Sequence, residues 1–417
     1  MFGRSRHENK KRHDPFAALR IKDFRSFIAA RFVITIAVQM QEVVVAWKIY
    51  ELTKDVLSLG LIGLAEAIPA LSVALFAGHI ADIYDRRKIS LITVSFLFLC
   101  SIGLFLIDRA HLGSTVALMY GIIFLTGIAR GFIAPAFFSL LSQLVPKEIY
   151  SNSSTWNSSS WQIGAVAGPA IGGVLYGILG SSATLMLVIC MMGIAVYCVY
   201  KVKSHGVPKR KEENIIESLK AGISFVFKSP IILGALSLDL FAVLFGGAVM
   251  LLPVFAKDIL LIGPEGLGYL RAAPSLGAFI TMIGMAYRPP VHKAGRNLLF
   301  AVAGFGLCII GFGLSRNFYL SFVLLLFSGA FDSVSVIIRS VVLQVETPDH
   351  MRGRVSSVNT MFIGSSNEIG GFESGLMAKL MGTVPSVVFG GCMTLLVVTI
   401  ATFSSISLRN LSLKDVR

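Results

Sequence analysis

Apolar runs bounded by charged or turn-forming residues recur along the chain at 24–49, 56–80, 89–107, 114–140, 156–179, 182–200, 231–256, 265–287, 296–314, 318–342, 355–379 and 384–406. Each approaches or exceeds the ~20 residues that a helix needs to cross a bilayer. In lipid a helix satisfies its own backbone groups, so the pattern predicts an all-α membrane protein with 12 transmembrane helices. One long polar stretch, Lys201 to Lys228, follows the sixth run and contains Pro208-Lys-Arg-Lys-Glu-Glu213. It divides the chain into a basic tail (1–23), a six-helix half (24–200), a linker (201–230), a second six-helix half (231–406) and a short tail (407–417). Within the linker, Ile215 to Phe227 keeps helical spacing and reads as an amphipathic helix along the membrane face.

Composition agrees. Of 417 residues, 55% are hydrophobic and only 14% charged, with a mean hydropathy of +0.76. That is too little charge to cover a water-soluble protein of this size and too much apolar surface for a disordered chain. The net charge of +14 would raise nucleic acid as a partner of a soluble domain, but here its placement explains it. With the N-terminus inside, 27 of the 37 Lys and Arg fall in cytoplasmic segments, 6 outside and 4 within spans. This asymmetry puts both termini in the cytoplasm and removes nucleic acid from the expected partners. The first run reads as an uncleaved span rather than a signal peptide.

Several chemistries are not expected. The five cysteines lie in apolar stretches without CxxC spacing, which argues against disulfides and metal sites. All seven histidines fall in tails, loops or span ends. No GxxxxGK[ST], GxSxG or HExxH occurs, so neither ATP hydrolysis nor covalent catalysis is anticipated, and no cofactor or metal.

The two halves repeat. A shift of 202 residues places Pro146 on Pro348, Asn157 on Asn359, Gly168 on Gly370, Gly173 on Gly375 and Gly180 on Gly382; a shift of 205 places Gly63 on Gly268 and Pro69 on Pro274. Parallel repeats related by an axis along the membrane normal place a site at mid-membrane between them.

Two local patterns stand out. After the second run the chain reads Gly78-His-Ile-Ala-Asp82-Ile-Tyr-Asp85-Arg86-Arg87-Lys88. Gly78 permits close helix approach, Asp82 can accept from a helix N-terminus or a basic group, and Arg86 and Arg87 can pair with acids across an interface. Together with Asp85 they predict a cytoplasmic latch; the plainer alternative is a topogenic basic cluster. In the fifth run, Gly164, Gly168, Pro169, Gly172 and Gly173 strip side chains from one stripe and interrupt the backbone ladder. They predict a bendable, close-packed gate helix, or else ordinary small-residue packing.

These patterns resemble the loop signature and antiporter motif of the major facilitator superfamily, with Asp85 where that loop usually has Gly. Leu64-Ala-Glu-Ala-Ile-Pro69, Ala129-Arg-Gly-Phe-Ile-Ala-Pro135, Phe245-Gly-Gly-Ala-Val-Met-Leu-Leu-Pro253 and Glu368-Ile-Gly-Gly-Phe-Glu-Ser-Gly375 are similar to its bacterial secretion branch, which includes enterobactin exporters and macrolide efflux pumps. The resemblance implies the major facilitator fold, a bacterial inner membrane, and siderophore-like or drug-like cargo.

Ten charges remain inside the spans: Glu42, Glu66, Asp239, Asp332, Glu368, Glu373, Arg31, Arg130, Arg271 and Arg339. Each costs ~2.5–3.5 kcal/mol near the bilayer centre, so most must face a wet cavity or one another. Arg31 and Glu42 share a face of the first span, and Asp332 and Arg339 a face of the tenth. Under the repeat Arg130 superposes on Asp332 and Glu66 on Arg271, opposite signs at equivalent places. Arg31 and Arg339 lie near cytoplasmic ends, where snorkelling explains them equally well; Glu42 and Glu66 lie toward the outer end as possible rim residues. Asp239 and Glu368 are the leading proton-site candidates. Gln39, Gln41, Asn359 and Asn367 offer hydrogen bonds to cargo or glue between helices.

The sequence therefore predicts a monomeric secondary transporter in contact with membrane lipid, exporting a small amphipathic molecule against inward proton movement. A same-fold importer or divalent-metal transporter is the first alternative, and a non-transporting receptor or lipid scramblase the second.

Overall fold

A computed structural model describes residues 14–110, 113–203, 215–287, 293–348 and 351–404, together with Arg409 and Leu411. The N-terminal half comprises α1 (Lys22–Thr53), α2 (Val56–Ile83), α3 (Arg86–Ala110), α4 (Thr115–Leu144) and α5 (Tyr150–Lys201). After α6 (Ile215–Lys228) come α7 (Pro230–Phe245), the single turn α8 (Leu252–Val254), α9 (Gly263–Tyr287), α10 (Ala294–Leu314), α11 (Phe318–Glu346), α12 (Arg352–Met381) and α13 (Thr383–Ser404). Among the described residues, nine segments are long and apolar enough to cross a membrane, counting Tyr150–Lys201 and Pro230–Ile259 as one each.

Local chemistry sets the boundaries. Asp55 caps α2 by accepting from Leu57 N at 3.1 Å, and Asn317 caps α11 by accepting from Tyr319 N at 2.9 Å. The carboxylate of Asp85 accepts from Arg87 N at 2.9 Å where α3 begins; such caps satisfy the orphan amides of a helix start. The fifth and sixth runs form two helices that meet at a kink within α5, at Gly180, whose φ of 79° only glycine adopts readily. Gly382, with φ 93°, makes the same break between α12 and α13. These two glycines are one repeat apart.

The seventh run departs from a simple span. Its helix stops at Phe245, the chain bends at Gly246-Gly247, and a 3₁₀ turn (Ala248–Leu251), α8 and a π turn (Phe255–Ile259) follow. Pro253 lacks an amide hydrogen there. A side chain at Gly247 would lie 2.7 Å from Gly370 O of α12, so the glycine lets the bend nest on the neighbouring helix.

Packing repeats as the sequence does. A Cβ at Gly168 of α5 would lie 3.0 Å from Ile36 O of α1, and one at Gly370 of α12 would lie 2.8 Å from Leu244 O of α7. Gly173 meets Gly268 of α9 at 2.6 Å by the same measure, and Gly375 meets Gly60 of α2 at 2.8 Å. The halves thus join through two equivalent glycine contacts, α5 with α9 and α12 with α2. The aromatic core of the first half centres on Phe24, Phe27 and Phe137, and that of the second on Phe255 and Phe312, with ring centroids 4.5 Å apart. Val226 of α6 is buried against Ile232, Val355 and Val358, so the linker helix packs where α7 and α12 begin.

Candidate functional site

Five helices bring charge to the seam between the halves. Arg130 of α4 donates to Glu42 of α1 at 2.8 Å and also pairs with Glu66 of α2. The second oxygen of Glu42 accepts from Arg271 of α9 at 2.6 Å. Glu368 of α12 lies within Coulombic reach of both arginines, and its carbonyl would be 3.2 Å from a Cβ on Gly63. Three glutamates and two arginines therefore share one place. Gly127 and Gly131 create it: a methyl at Gly127 would collide with the Glu66 carbonyl, and one at Gly131 would lie 2.8 Å from Ala70 O. Their absent side chains let α4 lean on α2 and carry Arg130 to the carboxylates.

Glu42 and Glu66 are thus network members rather than rim residues. Of the opposite-sign equivalents, Glu66 and Arg271 join one cluster through Glu42, whereas Arg130 takes Glu42 and Glu66 rather than Asp332.

A second charged group sits inside the C-terminal half. Arg339 of α11 pairs with Asp239 of α7 and is only 2% exposed, which rules out snorkelling. Asp332 shares its helix face but lies two turns away, a rise of ~10 Å; the guanidinium reaches across to α7 instead. Asp332 and Asp239 line one small cavity.

The remaining predicted residues scatter. Arg31 stacks over Phe137 at 5.8 Å, apart from Glu42, which lies three turns along α1. Gln41 accepts from Ser101 at 2.7 Å, joining α1 to α3 as helix glue. Gln39 packs its Cβ against Gly168. Asn367 donates to Ile363 O of its own helix at 3.0 Å, and Asn359 keeps a buried Oδ1 without a partner among the described residues. Glu373 is half-buried on α12.

The stripe in α5 has two faces. Gly164, Gly168 and Gly172 lie against Thr35, Ile36 and Met40 of α1, Pro169 offers its carbonyl toward Gly268, and Gly173 meets α9. In the basic loop, Arg86 donates to Ser139 O at 3.1 Å and Arg87 to Tyr200 O at 2.6 Å, contacts within the first half. The surroundings of Gly78 and the side chain of Asp82 lie outside the described residues.

Sequence reasoning missed a ring of pairs at the bundle end where α1 finishes. Tyr50 donates to Asp258, Lys257 meets Glu51 at 3.3 Å, and Lys379 meets Asp55 at 2.9 Å. Lys257 also lies 5.2 Å over the Trp47 ring. Each pair joins the two halves, and together they shut that end. The hydrogen bond from Lys379 holds the Asp55 carboxyl below the usual carboxylate range. Because these residues flank the apolar runs, nothing in the hydropathy pattern marks them.

Residues 13–416 match the family described as transmembrane secretion effector. The chain belongs to this major facilitator family. It is similar to the enterobactin exporter EntS of Shigella boydii serotype 4 (strain Sb227), 27% identical over 375 residues that cover 88% of each chain. It is also similar to EntS of Escherichia coli O9:H4 (strain HS), 26% identical over 93% of this chain and 92% of the relative. Among solved structures, it resembles a D-xylose–proton symporter with a TM-score of 0.72 at 12% identity, over 93% of this chain and 99% of that one. A bacterial homologue of the lysosomal transporter Spinster, inward-facing and unoccupied, gives 0.71 at 13% identity over 93% of this chain and 96% of that one; both likenesses concern the fold. This facilitator is a multi-pass membrane transporter, points away from enzymatic chemistry and takes small-molecule cargo.

Proposed function

We propose that this transporter has twelve spans, with α5 counted twice across Gly180 and α9 and α12 counted beside the apolar helices, and that it exports a small amphipathic molecule across a bacterial inner membrane against inward proton movement. Siderophore-like cargo is favoured by the EntS relatives, and both termini face the cytoplasm by the charge asymmetry. The observation that carries the reading is the Glu42–Arg271 bridge within a cluster of three acids and two bases. Fully ionised, that cluster holds one surplus negative charge beside the seam. A proton on Glu368 removes it; an incoming cargo with hydrogen-bond donors competes for the same carboxylates. With the α1-end pairs closed, cargo enters from the side of the termini. Proton binding and cargo release then bias the two openings differently, which is what drives a two-state exchange.

The test uses proteoliposomes containing the full chain, loaded with a catecholate siderophore or an amphipathic dye, under an imposed proton gradient. Gradient-driven flux that falls at least tenfold in Glu368→Gln and in Glu42→Gln is expected. Undiminished gradient-driven flux in both variants refutes the reading.

A further inference from the structure

Away from the seam, α7, α10 and α11 enclose a cavity of about 10 Å³ lined by Asp239, Val302, Phe305, Asp332 and Ser335, room for roughly one water. Ser335 is 3% exposed, and its hydroxyl has no hydrogen-bond partner among the described residues, although it faces a cavity with two carboxylates. Buried polar groups rarely stay unpaired without a reason. Asp332, Ser335 and Arg339 stand at i, i+3 and i+7, one face of α11. Arg339 is engaged by Asp239, and no ion pair or hydrogen bond reaches Asp332 among the described residues.

The charged groups around Asp332 can be counted by element. α7 brings Asp239, α11 itself brings Arg339, α10 presents Val302 and Phe305, and α9 meets α11 through the backbone at Pro274–Gly329 and Gly277–Leu326. α12, which also touches α11, carries Glu368, held at the seam cluster, and Glu373, which does not line the cavity. Arg271 of α9 is committed to Glu42. Two carboxylates and one guanidinium leave a single negative charge in excess. Inside a bilayer such an excess is neutralised or hydrated, and this cavity is far too small for an organic molecule. Its natural occupant is one small cation.

We propose that this cavity is a second cation site of the transporter, holding one proton on Asp332, with Ser335 accepting from the protonated carboxyl and Asp239–Arg339 serving as the fixed pair beside it. The site is separate from the Glu368 cluster, so a proton can be held in the C-terminal half whether or not cargo occupies the seam. Its place in the transport cycle rests on the proton-coupled reading above. The binding event does not, because it is measurable without cargo.

Difference infrared spectroscopy of the purified full chain in lipid, titrated from alkaline to acid buffer in potassium, reads the carboxyl stretch directly. A titrating band present in the parent protein and in Glu368→Gln, lost in Asp332→Asn and regained in Asp332→Glu is the expected result. Ser335→Ala keeps the band with its frequency raised, because the acid loses its acceptor. A band that survives unchanged in Asp332→Asn overturns the proposal, and a midpoint that falls with added sodium overturns the proton as occupant. Should Asp332→Asn fail to fold, ¹³C-aspartate labelling of the parent and Ser335→Ala decides: a band that neither carries the isotope shift nor responds to the serine change overturns it. Loss of driven dye flux with an intact Asp332 band sinks the export reading and leaves the site; driven flux without the band sinks the site alone.

Discussion

Glu42 and Arg271 meet at 2.6 Å although 229 residues separate them, and this contact ties the charged cluster of the first half to the second. Glu42 accepts from Arg130 with its other oxygen, so one carboxylate bridges two guanidiniums. Glu42→Gln removes the negative charge that both arginines face. Removing one partner of a buried pair costs ~3–5 kcal/mol, but the Arg130 side chain is 36% exposed, and hydration lowers the expected loss to ~1–3 kcal/mol. A thermal-shift assay in detergent checks this, with Glu42→Asp as the conservative control. A transition unchanged in Glu42→Gln counts against the bridge as a structural tie.

The Asp239–Arg339 pair makes a sharper stability case, because both side chains are under 10% exposed. Asp239→Asn strands a buried guanidinium, a loss of ~3–5 kcal/mol. Asp239→Asn combined with Arg339→Met leaves no charge behind and recovers most of that loss. Unfolding midpoints of the two singles and the double form a thermodynamic cycle; additive losses would mean the pair is not coupled.

Close glycine contacts predict opposite signs at different positions. At Gly173 a Cβ would meet Pro264 O at 2.5 Å and Gly268 Cα at 2.6 Å, so Gly173→Ala pushes α5 from α9 and costs ~1–3 kcal/mol. At Gly121 of α4 nothing lies within 4 Å, and Gly121→Ala raises stability by ~0.4–1 kcal/mol through the unfolded chain. Comparing the two melting shifts separates contact from propensity, and a stable Gly173→Ala would mean the seam is looser than drawn.

The pairs that shut the α1 end have a defined pH response. Asp55 has a folded pKa below its unfolded value, so the contact with Lys379 contributes above the unfolded value of ~3.9 and is lost as pH falls through the still lower folded value. Between mildly acidic and neutral pH it stays constant, at the ~0–1 kcal/mol of an exposed pair. Lys379→Glu places like charges together and widens the distance between spin labels on the outer ends of α2 and α12, most at low salt. A distance that changes between pH 6 and 8 in the parent protein would show that other groups govern this gate.

Helix identity was legible because burial in lipid writes itself as apolar length, and the repeat was legible because Gly168/Gly370 and Gly173/Gly375 answer the same packing need in each half. Partner choice was not. Arg339 shares a face with Asp332, yet bonds to Asp239 about 100 residues earlier in the chain, and no periodicity encodes a contact between helices. The bend after Phe245 also escaped, since Gly246-Gly247 and Pro253 sit in an apolar run long enough for one straight helix. Lys257, Asp258 and Lys379 sit at the ends of apolar runs, and only the fold brings them to Glu51, Tyr50 and Asp55.

The two long helices outside the apolar set, α9 and α12, carry Arg271 and Glu368 to the seam. During biogenesis each carries a charge into the bilayer before the partner lobe arrives to pair with it. Assembly of the lobes is thereby made a condition of membrane residence for those helices, and a truncated chain bearing the C-terminal lobe alone becomes a natural substrate for quality-control proteolysis.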